Sequence, residues 1–256
     1  MRGYARAPRL SRSVRHSKAG DMSLGQSPYD VSVEWGVDGL ATLVGGSDVV
    51  IIVDVLSFST CVDVAVAHGG SVFPCALHGN AAAAFASKVG AECATPRGAG
   101  RFSLSPATFT SIRGGEKVVL PSPNGAALCL RTGGVPTFTA CLRNARAVAS
   151  AAAKVGRRIS VISAGERWDS GGLRPALEDW IGAGAVVAAL PGATSPEAAA
   201  AKGTFEAAAS QLDSVLFDCA SGRELVQRGY KHDIDWAAAL NISESAPLLR
   251  QGAFSA

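Results

Sequence analysis

Residues 159–190 read ISVISAGERWDSGGLRPALEDWIGAGAVVAAL, and this stretch decides the fold class that the sequence predicts. It opens with a short apolar run at 159–162, which predicts a buried strand. A turn at Ala164 and Gly165 follows, and Pro175 suits the first turn of the next helix, where a missing N–H costs nothing. Apolar residues then repeat at helical spacing, so this helix has a face that can dock on a sheet. Strand, loop and helix in this order indicate an α/β unit.

Acidic side chains are concentrated in this unit. Four of them lie within fourteen residues: Glu166, Asp169, Glu178 and Asp179. Packing these carboxylates around one strand-to-helix turn is costly without a cation, and oxygen ligands of this kind suit magnesium. A plainer interpretation stays open, because acids in a first helical turn complement the helix dipole, and Glu166 and Asp169 can be solvated loop residues.

The alternation of strand and helix continues along the chain. The clearest strand is 48–56, DVVIIVDVL, a nearly continuous run of β-branched residues typical of a parallel strand covered on both faces. Other strands are predicted at 71–75, 117–120 and 137–141, and helices at 60–67, at 80–89 with Asn80 as its cap, from 126, up to 154, at 198–216 and at 221–229. The end of the chain, 231–256, has a mixed pattern with Trp236 as its expected anchor. These elements predict a three-layer α/β/α fold whose central sheet is largely parallel or mixed.

Ligands of such sheets bind beyond the carboxyl ends of the strands. Four strand-to-helix junctions should therefore bring polar side chains to one edge, namely Asp54, Ser59, Thr60, Ser122, Asn124, Arg143, Asn144, Glu166 and Asp179. The long loop 94–109 adds Arg97. Helix N-termini offer free N–H groups to an anion, and arginines offer forked donors that suit phosphate or sulfonate. Carboxylates beside anion donors favour magnesium-assisted phosphoryl transfer on a small anionic, phosphorylated substrate.

Most of these residues also have a structural interpretation. Ser59, Thr60, Asn124 and Asn144 can be helix caps, and Arg143 can pair with a surface acid. Asp54 is harder to explain in this way. A carboxylate that ends an apolar strand is half buried, which is costly unless the carboxylate is paired.

Composition and charge argue against several other classes of protein. Apolar runs fall short of the roughly 18 residues that a membrane helix needs, so no membrane association is expected. The formal charge of +3 comes from the leader, because residues 1–21 hold six basic side chains and one acid while the rest is mildly acidic. We expect 1–27 to be a disordered basic leader, or to include a mis-assigned start with Met22 as the true one, and 28–256 to form a single domain.

The six cysteines are widely spread, with no Cys-x-x-Cys and no secretory signal before them. They are expected to be buried thiols in a reducing cytoplasm. The four histidines lack ligand spacing, which argues against zinc. The sequence leaves the oligomeric state open, and a homo-oligomer is among the expected forms.

Six short motifs occur in an order and spacing that are specific together: 53–56 (VDVL) with Ser59 and Thr60, 121–126 (PSPNGA), 143–149 (RNARAVA), 164–166 (AGE), 177–179 (LED) and 182–184 (GAG). With these motifs, roughly residues 29–249 resemble the 2-phosphosulfolactate phosphatase family. The resemblance implies an α/β/α fold and a magnesium-dependent phosphatase of the kind found in coenzyme M biosynthesis. Its reaction would convert 2-phospho-3-sulfolactate to 3-sulfolactate and phosphate.

The chain departs from the family pattern at two places. Family members commonly have arginine directly after the VDVL motif, where this chain has Ser57. The family's Gly-Asn-Ser-Pro is represented by 103–106, SLSP, so that Leu104 stands where asparagine is usual. Loss of a forked anion donor can change substrate choice, and the natural phosphosulfonate is therefore left open.

The working hypothesis assigns catalysis to Asp54 and Glu166, with Mg²⁺ held by Asp54 together with Glu166, Glu178 or Asp179. The substrate would be bound by Ser59, Thr60, Arg97, Ser122, Asn124, Arg143 and Asn144, and Glu166 would orient the attacking water. Direct attack by Asp54 to form an acyl-phosphate is a variant. Two alternatives come from other classes. One is a non-catalytic anion-binding or regulatory protein on the same fold, and the other is a nucleic-acid-binding protein that uses the basic leader, which the lack of interleaved basic and aromatic residues in the body makes unlikely.

Overall fold

Eleven strands occur in residues 25–256, the part of the chain that this computed structural model describes. They are β1 (Val31–Trp35), β2 (Val49–Val53), β3 (Ser71–Cys75), β4 (Glu92–Cys93), β5 (Lys117–Pro121), β6 (Thr137–Ala140), β7 (Ile159–Ser163), β8 (Glu166–Arg167), β9 (Leu173–Arg174), β10 (Leu248–Arg250) and β11 (Ala253–Ser255). Nine of them form one sheet in the order β1-β7-β2-β6-β10-β11-β3-β5-β4, and β8 pairs with β9 in a separate ribbon.

The large sheet consists of two parallel parts joined by the C-terminal hairpin. In one part β1, β7, β2 and β6 pair in parallel, and in the other β3, β5 and β4 do so. The antiparallel hairpin of β10 and β11 lies between β6 and β3. The prediction of a largely parallel, mixed sheet is confirmed.

Helices cover both faces of the sheet. Within residues 25–256 they are α1 (Gly36–Leu43), α2 (Phe58–Ala67), α3 (Gly79–Val89), α4 (Gly125–Cys129), α5 (Ala145–Val155), α6 (Leu177–Ala189), α7 (Pro196–Ala208), α8 (Leu212–Asp218), α9 (Ala220–Gln227) and α10 (Lys231–Ala238). Short 3₁₀ turns occur at Val44–Gly46, Pro106–Ser111, Leu142–Asn144 and Ala209–Gln211.

Strand β2 shows how the sequence produces the three layers. Successive side chains of a strand point to opposite faces. Val49, Ile51 and Val53 accordingly pack with residues of α5, α6 and α7. Val50 and Ile52 pack with residues of α1, α2 and α4 on the other face. Apolar residues are therefore needed at every position of β2, and the predicted three-layer α/β/α architecture is confirmed.

Two predicted helix starts are wrong. Pro175 precedes α6, whose N-cap is the extended residue Ala176. Asn80 lies inside α3, whose N-cap is His78 and has no side-chain cap bond. Both predictions chose the start by residue type, whereas the backbone conformation decides where the helical hydrogen bonds begin.

The C-terminal third also differs from the prediction. The helix predicted at 198–216 begins earlier, at Pro196, because Ser195 Oγ accepts a 3.1 Å hydrogen bond from the Ala198 amide. It is then divided by the 3₁₀ turn Ala209–Gln211 into α7 and α8. The tail at 231–256, where the pattern is mixed, forms α10 and the hairpin that completes the sheet, with the partly buried Trp236 packed against the core as expected.

Residues 1–24 lie outside the described part of the chain, and so does most of the predicted leader at 1–27. The leader and the domain limits at 28–256 stay predictions. Between residues 25 and 256 the structure contains no helix with the length and apolar character required to cross a membrane. All six cysteines are free, and Cys93 is the one that is not fully buried.

Candidate active site

The Asp54 carboxylate is fixed by two helix N-termini at the end of β2. Its Oδ1 accepts a hydrogen bond of 3.2 Å from the amide of Phe58, the first residue of α2. Its Oδ2 accepts one of 2.8 Å from the amide of Gly125, the first residue of α4. A Cβ atom at position 125 would lie only 2.7 Å from Oδ2, so glycine permits this close approach. The backbone amide of Asp54 donates to Ser59 Oγ at 2.9 Å. The orientation of Asp54 is therefore set by the backbone.

The second carboxylate, Glu166, lies on β8, just beyond the end of β7. Asn124 Nδ2 donates to its Oε2 at 2.8 Å. Asn124 is the N-cap residue of α4, but its side chain makes no cap bond. The amide thus serves to orient Glu166, and the helix-cap interpretation does not apply to its side chain.

Asp54 and Glu166 face the same cleft, which has a volume of about 270 Å³. Its lining includes five of the predicted site residues: Asp54, Arg97, Ser122, Asn124 and Glu166. The other residues that line it are Leu56, Ser57, Phe58, Leu104, Pro123, Ser221, Glu224, Leu225 and Arg228. Residues that follow β2, β5 and β7 thus meet around one space, and the parallel pairing of β2 with β7 accounts for Asp54 and Glu166.

Burial and mutual repulsion raise the pKa values of these acids. Burial raises the pKa of Asp54 to about 6, with a smaller contribution from the charge of Glu178, while the two amides that it accepts act in the opposite direction. Burial raises the pKa of Glu166 to about 7, and the charge of Asp54 adds to the shift. The hydrogen bond from Asn124 and the charge of Arg174 oppose it. A cation in the cleft would relieve this repulsion.

The two acids at the start of α6 do not line the cleft. Asp179 Oδ1 accepts from the Val55 amide at 2.7 Å, and its Oδ2 accepts from the Gly165 amide at 2.8 Å. It therefore ties the segments that follow β2 and β7 to the helix. Burial and then the charge of Asp54 raise its pKa well above the ordinary value. Glu178 is 2% exposed, and its Oε2 contacts the Cys219 thiol at 3.4 Å.

Four other predicted substrate ligands are used inside the protein. Ser59 Oγ is 2.6 Å from Thr139 Oγ1, and Thr60 Oγ1 donates to the Val55 carbonyl at 2.8 Å. Asn144 Oδ1 accepts from the Cys141 amide at 2.9 Å. These three side chains therefore stabilise the turns at the ends of the strands.

Arg143 is the fourth, and its guanidinium is buried away from the cleft. Its Nε donates to Asp63 Oδ2 at 2.9 Å, and its Nη1 donates to the Trp236 carbonyl at 3.1 Å. Asp63 is itself fully buried. The acid that pairs with Arg143 is thus internal, and the geometry does not favour Arg143 as an anion donor.

The basic side of the cleft is formed instead by Arg97. Its Nε donates to Asp233 Oδ2 at 2.8 Å, and its Nη2 donates to Ser57 Oγ at 3.1 Å. Its guanidinium carbon lies 5.2 Å from the centre of the Tyr230 ring. A guanidinium therefore lies beside position 57, although the arginine that the resemblance leads one to expect there is absent.

The cleft residues on α9 were not predicted from the sequence. Ser221 and Glu224 of α9 and its C-cap residue Arg228 line the cleft, and α9 packs against α8 and α10. The helical pattern at 221–229 was visible in the sequence. Its position at the cleft was not, since the other residues that line the cleft lie far from it in the chain.

The donor set fits Mg²⁺ in a limited way. Within residues 25–256, no three His, Cys, Asp or Glu side chains are grouped so that they could hold a metal ion by themselves. The predicted set of four carboxylates is thus not assembled around one point. Magnesium, however, usually needs only one or two carboxylates and takes its other ligands from water and a substrate phosphate. Asp54 and Glu166 satisfy that smaller requirement, since each Asp54 oxygen accepts one amide and retains a second lone pair.

Comparison with known proteins also indicates a phosphatase. The family model for 2-phosphosulpholactate phosphatase matches residues 41–252. A 2-phosphosulfolactate phosphatase from Methanothermobacter thermautotrophicus is 29% identical over 211 residues, which make up 81% of this chain and 89% of the relative. The matched region contains every strand of the large sheet except β1 and β11, together with both cleft carboxylates. The chain therefore belongs to the 2-phosphosulpholactate phosphatase family.

Proposed function

We propose that this chain, as a phosphoric monoester hydrolase of that family, hydrolyses 2-phospho-3-sulfolactate to 3-sulfolactate and phosphate with Mg²⁺ at Asp54 and Glu166. The observation that carries the proposal is the pair of carboxylates facing one cleft, with pKa values raised to about 6 and about 7. Keeping two such groups together destabilises the protein unless a cation compensates their negative charge. A bound Mg²⁺ would compensate it and would also bind the phosphate of the ester.

The metal would be held by one or both carboxylates, with the remaining ligands from water and the phosphate. When bound, Mg²⁺ would neutralise negative charge on the phosphoryl oxygens and favour attack at phosphorus. The predicted ligands Glu178 and Asp179 would not bind the metal directly, because Asp179 accepts hydrogen bonds from two backbone amides and Glu178 contacts a thiol.

Glu166 is the group best suited to orient the attacking water. Without a bound metal its pKa is raised to about 7, and it can accept a proton near neutral pH when Mg²⁺ is held by Asp54. The hydrogen bond from Asn124 holds one carboxylate oxygen, which leaves the other for the water. Water attacks phosphorus as one of its protons passes to Glu166, and the bond between phosphorus and the ester oxygen breaks. Sulfolactate leaves as its alkoxide and takes a proton from solvent, while Glu166 returns its proton to solvent.

Both oxygens of Asp54 accept backbone hydrogen bonds, and the lone pair that each oxygen retains is assigned to the metal in this proposal. We therefore propose direct attack by water. Arg97 lies on the other side of the cleft and would orient the anionic substrate through its remaining N–H groups.

The test is phosphate release from 2-phospho-3-sulfolactate and from a panel of phosphorylated three-carbon acids, with Mg²⁺ and with EDTA. We expect metal-dependent release, and Asp54→Asn should lower kcat on the order of 1,000-fold. Asp213→Asn is the matched control, because this exposed residue of α8 loses the same charge outside the cleft. Turnover that persists in EDTA would remove the metal from the proposal. Binding without release by folded protein would instead favour the non-catalytic anion-binding protein.

A further inference from the structure

We propose that Arg97 and Arg228, together with the Tyr230 ring that both guanidinium groups approach, form a subsite for a second anionic group of the substrate. We call these three residues the arginine clamp. The inference rests on the proposed function and deepens it. It assigns the phosphate of the substrate to the side of the cleft that holds Asp54 and Glu166, and the sulfonate or carboxylate of the substrate to the clamp.

The clamp lies where two cavities meet. The cleft of about 270 Å³ holds Asp54 and Glu166 on its walls. A neighbouring cavity of about 370 Å³ is lined by Tyr230 and His78 but by neither carboxylate. Arg97 and Arg228 line both cavities. A ligand with two charged ends can therefore place one end near the carboxylates and reach the clamp with the other.

Arg97 is held in place for this role. Its Nε–H is bound by Asp233, which is 2% exposed, and one Nη2–H is bound by Ser57. A guanidinium has five N–H donors, so three of them remain for a ligand. Ser105 Oγ donates to the other oxygen of Asp233, which fixes the acid as well. The fork of Arg97 is thus oriented before a ligand binds, which lowers the entropy that binding costs.

Arg228 is the adjustable half of the clamp. Its Nη1 donates to Glu224 Oε1 at 3.1 Å, but both side chains of this pair are more than half exposed. Exposed pairs one helical turn apart contribute little, so an anion in the cavity can draw Arg228 away from Glu224. The guanidinium carbons of Arg97 and Arg228 lie 5.2 and 5.9 Å from the centre of the Tyr230 ring. The ring therefore keeps two cations close together that would otherwise repel each other.

The charges of the cleft are separated in a way that fits such a ligand. The carboxylate side repels an anion unless a metal is bound there, whereas the clamp attracts one directly. A phosphate ester without a second anionic group would leave the clamp unpaired. The clamp should therefore select doubly anionic esters, because binding a charged group through forked donors is specific as well as favourable.

The test removes Arg228 and compares ligands with and without the second anionic group. Arg223→Gln is the matched control, because Arg223 is also an exposed arginine of α9 and lines neither cavity. Binding is measured by calorimetry in the presence of Mg²⁺ with 3-sulfolactate and with inorganic phosphate as probes. We expect Arg228→Gln to weaken 3-sulfolactate binding at least about 10-fold, a loss confined to ligands with the second group, and Arg223→Gln to weaken neither.

The same variants are then assayed for phosphate release. KM for 2-phospho-3-sulfolactate should rise in Arg228→Gln, and 2-phospholactate shows whether a sulfonate or a carboxylate occupies the clamp, because a rise for both esters indicates the carboxylate. An equal loss for inorganic phosphate and 3-sulfolactate would overturn the inference, since Arg228 would then contact phosphate itself. Unchanged binding of both probes would overturn it too. If no ester is hydrolysed but the calorimetric pattern holds, the phosphatase proposal fails and the clamp stands.

Discussion

A methyl group at Gly125 should disable the site by displacing Asp54. The added Cβ would lie 2.7 Å from Asp54 Oδ2 and 2.6 Å from Phe58 Cδ1, whereas ordinary contact begins at 3.4 Å. The carboxylate oxygen must therefore move by about 0.7 Å, and the buried ring of Phe58 cannot yield freely because interiors are close-packed. This shift disturbs the 2.8 Å hydrogen bond from the Gly125 amide that holds Oδ2. We expect Gly125→Ala to cost about 1–3 kcal/mol of stability by overpacking, and to lower kcat about 100-fold by misplacing a catalytic group.

The assay combines denaturant unfolding with phosphate release from 2-phospho-3-sulfolactate. Gly203→Ala is the control, because a Cβ on this residue of α7 meets no heavy atom within 4 Å. It should raise stability by about 0.5–1 kcal/mol and leave kcat unchanged. If Gly125 acts through Asp54, the two substitutions should not be additive. The double variant Gly125→Ala with Asp54→Asn should then have nearly the same kcat as Asp54→Asn alone. Wild-type kcat in folded Gly125→Ala, or full additivity in the double variant, would refute this reasoning.

Three further predictions concern the buried acids. Asp233 and Asp63 each accept a hydrogen bond from the Nε of an arginine, at 2.8 and 2.9 Å, so Asn at either position should cost about 3 kcal/mol of stability. Only Asp233→Asn should raise KM. A similar rise from Asp63→Asn would contradict the assignment of Arg97, and not Arg143, as the anion donor. The raised pKa values of Asp54 and Glu166 mean that the folded state binds more protons than the unfolded state, so the free energy of unfolding without Mg²⁺ should fall as pH rises from about 4 to about 7. Denaturant titrations should show this slope in the wild type and a smaller one in Asp54→Asn; an equal slope would count against the shift. Asn124→Ala removes a hydrogen bond that lowers the pKa of Glu166, so the rising limb of kcat/KM against pH should move to higher pH, and a shift to lower pH would contradict the role of Asn124.

The parts of the site that the sequence predicted are those fixed by local pattern and strand direction. Asp54 follows five buried residues of β2. Burying a carboxylate in that position costs free energy of folding, and this cost indicated a functional role. Glu166 follows β7, which is parallel to β2, so it lies at the same edge as Asp54. Ser122 and Asn124 follow β5 in the other parallel part, and the hydrogen bonds from Asn124 to Glu166 and from the Gly125 amide to Asp54 bring this turn to the cleft. The rule predicts which residues reach the edge. It does not predict which of them turn towards the ligand.

Arg143 shows the limit of that rule, and the cause lies in the C-terminal tail. The amides of Asn241 and Ser243 donate to the carbonyls of Leu142 and Arg143 at 2.9 and 3.0 Å, so the chain after α10 runs across the carboxyl end of β6. Ser243 Oγ also donates to Asp63 at 2.6 Å, beside the Arg143 ion pair. The predicted anion donor is therefore enclosed by a segment of the tail, where the mixed sequence pattern did not predict this contact.

Residues just before and within α10 supply the donors that replace Arg143. Arg228, the C-cap residue of α9, lines the cleft, and Tyr230 precedes α10. Asp233 within α10 fixes Arg97 from the loop at 94–109. The C-terminal third packs against the end of the sheet. As a result, the basic side of the site is formed by the arginine clamp and not by Arg143 at the end of β6, where the sequence predicted it. Local propensity does not record such docking, because its contacts join residues more than 100 positions apart. The acidic side was predictable because each of its residues follows a strand directly, whereas the basic side was not because it depends on this docking.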